Sequence, residues 1–241
     1  MIGYTAIMTR RLLILDGSIR RAVYRPVLQW SREVGATDVT SVHLPSGEEV
    51  PSLEDYSHVL LTGSEASILD PKDWFEREAD AVREVAGSGM PILGSCFGHQ
   101  MLVHALSGAN YIVHANPAEV GWIGVEQYVQ DCLFRDLPNP WHAFAFHLDE
   151  VIDPPAPWRV LARSRQCAVH VIRYGDAPIW GIQAHPEITV REARRYLRLA
   201  KRFLGTVPEC VVAAMNQAPR DDEITATLLR NFLSVSSPRM V

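Results

Sequence analysis

Apolar positions along this chain alternate between short solid runs and longer stretches of helical spacing. Leu12–Leu15 is an apolar run stopped by Asp16-Gly17, as a strand buried on both faces would be. Val23, Val27, Leu28 and Val34 follow at helical spacing, closed by Gly35. Val39–Leu44 alternates as a strand before Pro45-Ser46-Gly47, and His58–Leu61 is a second buried strand entering a Thr62-Gly63-Ser64 turn. Asp70-Pro71 predicts a helix start, with Trp74, Phe75, Val82 and Val85 on its apolar face and an end near Gly87. Met90–Leu93 is the next strand, and Met101, Leu102, Ala105 and Leu106 form a helix stopped by Gly108.

Beyond Gly108 the pattern turns β-rich: Ile123–Val129, Ala143–His147, Arg159–Ala162, Ala168–Arg173 and Ile179–Gln183, separated by turn-rich stretches such as Pro138-Asn139-Pro140. Thr189 and Glu192 have the spacing of a capping box, opening a long helix up to Gly205. A βαβα start, a β-rich middle and a strand–helix close predict a three-layer α/β sandwich with a mostly parallel central sheet. Residues 1–10 are read as a disordered leader, with Met8 an alternative start. Residues 11–205 form the main domain, and 206–241 a helical C-terminal extension over Glu209–Leu233.

Composition narrows the class. The 241 residues are 47% hydrophobic and 21% charged, ordinary globular material with enough chain for a large core. Cys96, Cys132, Cys167 and Cys210 are widely spaced with no CxxC pair, which argues against a disulfide framework or zinc ribbon and for a reducing cytoplasm. The net charge of −5 gives no support to nucleic-acid binding, and the basic Arg191–Arg202 stretch reads as a solvated helix face. No apolar run is long enough for a membrane span, and no secretory signal pattern opens the chain. His99 and His104 do not share a helix face and no HExxH occurs, so neither metal nor cofactor is expected.

The chemistry concentrates at strand ends, where open α/β sheets place their sites. Gly94-Ser95-Cys96-Phe97-Gly98 has the G-x-nucleophile-x-G form between an apolar strand and an apolar helix. A nucleophile at such an apex needs neighbours without Cβ, and the helix N-terminus behind it favours a thiolate and an oxyanion. Cys132, Cys167 and Cys210 lack this context and are read as structural. A thiol needs a base, and the base an orienter. His185-Pro186-Glu187 follows the last predicted strand, with His185 placed to take the thiol proton and Glu187 to hold the imidazole tautomer.

The run Gly94–Gln100 together with His185-Pro186-Glu187 closely resembles the class I glutamine amidotransferase family, over about Leu12 to Gly205. The resemblance implies a flavodoxin-like sheet and attack by Cys96 on the γ-carbonyl of glutamine or a γ-glutamyl compound. A γ-glutamyl thioester then forms, and water hydrolyses it. It also implies oxyanion donors at Phe97 and the Gly63-Ser64 turn, where the family often has two glycines. A serine is tolerable there if its φ is negative. Gln100 matches a substrate-contacting position, and His147 in His147-Leu148-Asp149 lies near the pocket or is simply a satisfied structural histidine. The layout is similar to stand-alone members such as γ-glutamyl peptidases. A self-sufficient γ-glutamyl hydrolase is therefore expected. The alternatives are a glutaminase component feeding ammonia to a separate synthase, and a non-catalytic regulatory protein on the same fold.

Overall fold

In the computed structural model, residues 10–35, 37–203 and 208–236 are described; the expected leader over 1–9 and the Gly205 helix stop lie outside them. Nine strands form one sheet: β1 (Arg11–Asp16), β2 (Asp38–His43), β3 (His58–Leu61), β4 (Ile92–Ser95), β5 (Ile112–Gln127), β6 (Trp141–Val151), β7 (Trp158–Arg163), β8 (Val171–Tyr174) and β9 (Ile179–Ile182). Six α-helices accompany them: α1 (Pro26–Ser31), α2 (Phe75–Ser88), α3 (Phe97–Ser107), α4 (Val190–Phe203), α5 (Glu209–Asn216) and α6 (Thr225–Leu233). The strand order is β2-β1-β3-β4-β9-β8-β7-β5-β6. Pairing is parallel from β2 to β9 and antiparallel from β9 to β6. The sheet is therefore mixed, and the expected parallel character belongs to its first five strands.

The parallel strands are buried on both faces, which is why they read as solid apolar runs. Leu13, Leu15, Val59, Leu61 and Ile92 face Phe75, Val82 and Val85 of α2 and Met101 and Leu102 of α3. Leu12, Ile14, Leu60 and Leu93 face the other way, onto Trp30 of α1 and Leu228, Leu229 and Phe232 of α6. These are the three layers, and each fully buried Leu or Ile contributes about 1.5–3 kcal/mol. The second layer is completed by α6, from the segment that the sequence set apart as an extension. A third cluster joins Ala193 and Leu197 of α4 and Val211 and Ala214 of α5 to Trp122 and Phe144 of the β5–β6 ribbon.

Two helix boundaries differ from the sequence reading. The helix expected from Pro71 begins at Phe75, because the Asp70 carboxylate binds Lys72 instead of capping the chain. It runs through Gly87 to stop at Gly89, whose φ of 73° is left-handed. The long β5 was legible only in its second half, since Asn116, Pro117 and Gly121 break the pattern where the ribbon carries an irregularity between His114 and Glu119. The capping box is present: Thr189 N–H donates to Glu192 at 3.0 Å and Glu192 N–H to Thr189 Oγ1 at 3.4 Å. Among the described residues no helix is long and apolar enough to cross a membrane.

Candidate active site

Cys96 sits between β4 and α3 with φ 50° and ψ −103°, a conformation that costs an L-residue about 1–3 kcal/mol. Hydrogen bonds hold it there: Cys96 N–H to Ile182 O at 2.8 Å, Gln100 N–H to Cys96 O at 3.1 Å and Gly98 N–H to Thr62 O at 3.1 Å. The flanking glycines are demanded by contact. A Cβ on Gly94 would lie 2.5 Å from Gly98 O, and one on Gly98 would lie 2.6 Å from Leu61 O. The first turn of α3 thus lies directly on the ends of β3 and β4, which is the physical content of the G-x-C-x-G pattern.

β9 ends one strand over and delivers the second motif. An antiparallel bridge between His185 and Phe144, with His185 N–H donating to Phe144 O at 2.8 Å, fixes the backbone beside the elbow. His185 Nδ1 lies 2.8 Å from Glu187 Oε1, and both residues are buried. With Nδ1 engaged, Nε2 is the nitrogen left for Cys96. Burial opposes the imidazolium. Charge interaction with Cys96, then with Glu187, and hydrogen bonds to both outweigh it and push the His185 pKa up to about 10. Cys96, His185 and Glu187, proposed from sequence as a unit, therefore meet. Gln183 Nε2 and Phe146 O also approach the sulfur, at 3.6 and 3.9 Å.

The thiol opens on a cavity of about 360 Å³. Its wall combines apolar Ile19, Val23, Phe146 and Tyr196 with polar Arg20, Glu65 and Asp149. Ser64, Phe97, Gln100 and His147 all line it, whereas Gly63 stands behind, packed on the imidazole. Ser64 is not among the residues with positive φ, so the serine is accommodated, and its Oγ accepts Ala66 N–H at 3.0 Å. Gln100 directs Nε2 to Asp149 O at 2.8 Å and Gln183 Oε1 at 3.3 Å, so its amide nitrogen is already used within the protein.

His147 behaves as a satisfied histidine: Nδ1 lies 3.0 Å from Asp149 O and Nε2 3.0 Å from Glu119 Oε2. Glu119, on β5, was not singled out in the sequence. Burial raises its carboxyl pKa, but hydrogen bonds from His147, His170 and Ser164 hold it well below the usual range. Donor atoms of Glu119, His147 and His170 lie within 4.8 Å of one another, a set with ligand-like chemistry. Here the carboxylate is already met by Ser164 and His147, and the cluster closes as a hydrogen-bonded network.

Tyr24 was also missed. It lies between β1 and α1, where the apolar spacing placed it off the buried face. Yet it is 3% exposed and its hydroxyl donates to Glu187 Oε1 at 2.7 Å. Only a motif or a partner at known distance in sequence could have flagged it, and Tyr24 has neither.

A family model described as Glutamine amidotransferase class-I matches residues 20–202. Among curated relatives, the glutamine-hydrolysing subunit of the GMP synthase of Sulfurisphaera tokodaii is 30% identical over 166 residues, 69% of this chain and 85% of its own. The protein of the same name from Methanothermobacter thermautotrophicus is 33% identical over 155 residues, covering 64% of this chain and 82% of its own. Among solved structures, a glutamine amidotransferase from Thermotoga maritima superposes with TM-score 0.76 at 24% identity, over 93% of this chain and 96% of that one. A glutamine amidotransferase from Methylobacillus flagellatus gives 0.66 at 19% identity, over 93% and 92%. At these identities the superpositions speak for the fold alone.

Proposed function

The chain belongs to the class I glutamine amidotransferases, and from that membership we propose that it cleaves the side-chain amide of glutamine through Cys96 and supplies the ammonia to a separate synthase. The observation that carries the chemistry is the chain of contacts from Cys96 through His185 to Glu187, with the imidazolium favoured by both neighbours. The thiolate attacks the amide carbon, and backbone N–H groups of Phe97 and the Gly63-Ser64 turn receive the oxyanion. As the C–N bond breaks, the His185 imidazolium gives its proton to the departing nitrogen, leaving a γ-glutamyl thioester on Cys96. Water then attacks the thioester and passes a proton to His185. Glutamate leaves, and the ion pair is restored.

Delivery to a partner is supported by the relatives, whose names describe the glutamine-hydrolysing subunit of a GMP synthase. The identity of the synthase does not transfer at this level of similarity. A second reading, hydrolysis of larger γ-glutamyl compounds without a partner, is favoured by the cavity. Its 360 Å³ falls in the range of drug-sized ligands and extends past the sulfur to Ile19, Val23 and Tyr196.

Purified protein assayed with glutamine and with γ-glutamyl conjugates separates the two. Slow ammonia release from glutamine and no cleavage of conjugates favours the synthase component; fast conjugate cleavage favours the stand-alone hydrolase. Cys96→Ala is expected to abolish either activity. Turnover that survives in that variant would sink the cysteine mechanism. A folded wild type inert toward every γ-glutamyl substrate would leave the regulatory alternative.

A further inference from the structure

The Glu187 carboxylate is buried, and both donors recorded for it converge on one oxygen. Oε1 accepts from His185 Nδ1 at 2.8 Å and from Tyr24 Oη at 2.7 Å, while Oε2 has no partner among the described residues. The Tyr24 oxygen also stands 3.4 Å from His185 Nδ1, and its ring meets the imidazole edge-on, with centroids 5.6 Å apart at 84°. Gly63 closes the other side: a Cβ there would fall 2.6 Å from His185 Cε1 and 2.8 Å from the Tyr24 hydroxyl. Phenol, imidazole and carboxylate are thus packed against the end of β3 with no slack between them.

We propose that Tyr24 is a positioning residue of the active site, which fixes the rotamer of Glu187 by hydrogen bond and the tilt of His185 by ring contact, so that Nε2 faces the Cys96 sulfur. A carboxylate bound by one donor can rotate about its last bonds. Bound on the same oxygen from two directions, it has one orientation, and the imidazole inherits it. Burial and the neighbouring Glu187 charge push the Tyr24 phenol well above its ordinary pKa, so the hydroxyl stays a neutral donor across the working pH range. Tyr24 touches neither the sulfur nor the main cavity and acts only through its two neighbours. The segment carrying it also carries Ile19 and Arg20, whose backbone N–H groups are held by Glu65 at 2.9 and 3.3 Å. The wall of the cavity and the brace on the orienter are therefore one piece of chain.

The inference rests on the proposed cysteine chemistry, so its test includes a readout that needs no substrate. Tyr24→Phe is compared with wild type in kcat and KM for the hydrolysed substrate, and in the rate of Cys96 alkylation by iodoacetamide at pH 7. The expected result is a kcat lower by roughly tenfold, the rate equivalent of one hydrogen bond to a charged group. KM stays within about twofold, since no substrate contact is lost. Alkylation of Cys96 slows as well, because the imidazolium that supports the thiolate is no longer held in place. Incorporation of 4-aminophenylalanine at position 24, which restores a neutral donor on the same ring, is expected to recover most of both losses.

Wild-type kcat and alkylation in the Phe variant would overturn the proposal. So would a change in KM alone, or a loss of activity that merely follows the fraction unfolded in a thermal melt. If wild-type protein hydrolyses no γ-glutamyl substrate, the functional reading fails while alkylation still decides the role of Tyr24. If substrate is turned over and neither kcat nor alkylation responds to Tyr24→Phe, the function stands and this inference falls.

Discussion

Gly63→Ala isolates the packing of the triad from everything else. The φ of Gly63 is not in the left-handed region, so alanine can adopt its backbone conformation, and the backbone N–H offered to an oxyanion is retained. What the methyl meets is His185 Cε1 at 2.6 Å and the Tyr24 hydroxyl at 2.8 Å. To reach ordinary contact the imidazole must retreat by roughly 0.8 Å. It cannot slide toward Glu187, whose oxygen is already at 2.8 Å from Nδ1, so the displacement is carried into the line between Nε2 and the sulfur. A misplacement of about 1 Å costs on the order of 10²-fold in rate, about 2.7 kcal/mol of barrier. The assay is ammonia release at saturating glutamine, coupled to glutamate dehydrogenase, beside a thermal melt. Gly87→Ala serves as control. Gly87 lies inside α2 with nothing within 4 Å of an added Cβ, so it should keep kcat and gain about 0.4–1 kcal/mol of stability. A Gly63→Ala protein with kcat within twofold of wild type, or one that loses activity only through lost stability, would refute the claim that the imidazole has no room.

Three further outcomes follow from the same geometry. Gly98→Ala places a Cβ 2.6 Å from Leu61 O and 2.7 Å from Leu61 Cβ, so α3 must lift off β3. A melt should show about 1–3 kcal/mol of destabilisation and iodoacetamide should label Cys96 more slowly; an unchanged melt would contradict the close packing. His185 has its pKa raised to about 10, so its imidazolium should survive well past neutrality. In a pH titration, kcat/KM should fall only as pH rises toward about 10; a falling limb near the ordinary imidazole value of 6.5 would oppose the reading. Glu78 on α2 is fully buried with both carboxylate oxygens unpartnered among the described residues, and burial, then the Asp16 charge, raise its pKa well above the usual value. A group raised in the folded state favours folding below its unfolded pKa and costs stability as pH rises. Glu78→Met should therefore raise the melting temperature at pH 7 by roughly 4–8 °C, about 2 kcal/mol, with the gain shrinking toward pH 4; a lower melting temperature at pH 7 would count against it.

The parts of this molecule that the sequence makes legible are those whose physical requirement is local. Gly94 and Gly98 bracket Cys96 because a five-residue turn leaves no space for their Cβ atoms, and the requirement is written within those five residues. His185 and Glu187 are two positions apart, so base and orienter are recognisable together once a strand is seen to end there. The buried strands β1, β3 and β9 declare themselves as apolar runs because both of their faces are covered. The direction in which strands pair is not written this way. Apolar patterning reports how many faces are covered and says nothing about which neighbour runs alongside, so the switch from parallel to antiparallel at β9 had no local trace.

The same distinction separates what was found at the site from what was missed. Tyr24 reaches Glu187 across 163 positions and Glu119 reaches His147 across 28, and neither pair forms a motif. Each missed residue binds a member of the expected set from outside: Tyr24 holds the orienter, and Glu119 holds the histidine beside the cavity. A reactive cysteine, its base and an acid can be written in two short segments, because the chemistry dictates their types and the turns dictate their spacing. The groups that keep those side chains from rotating are chosen only by what the folded chain brings within about 3 Å, and several residue types could fill that place. Reactivity in this site is thus encoded locally and its precision globally. Substitutions at Cys96 should act by removing a bond-forming atom, whereas those at Tyr24 and Gly63 should act by freeing or crowding an imidazole that is chemically intact.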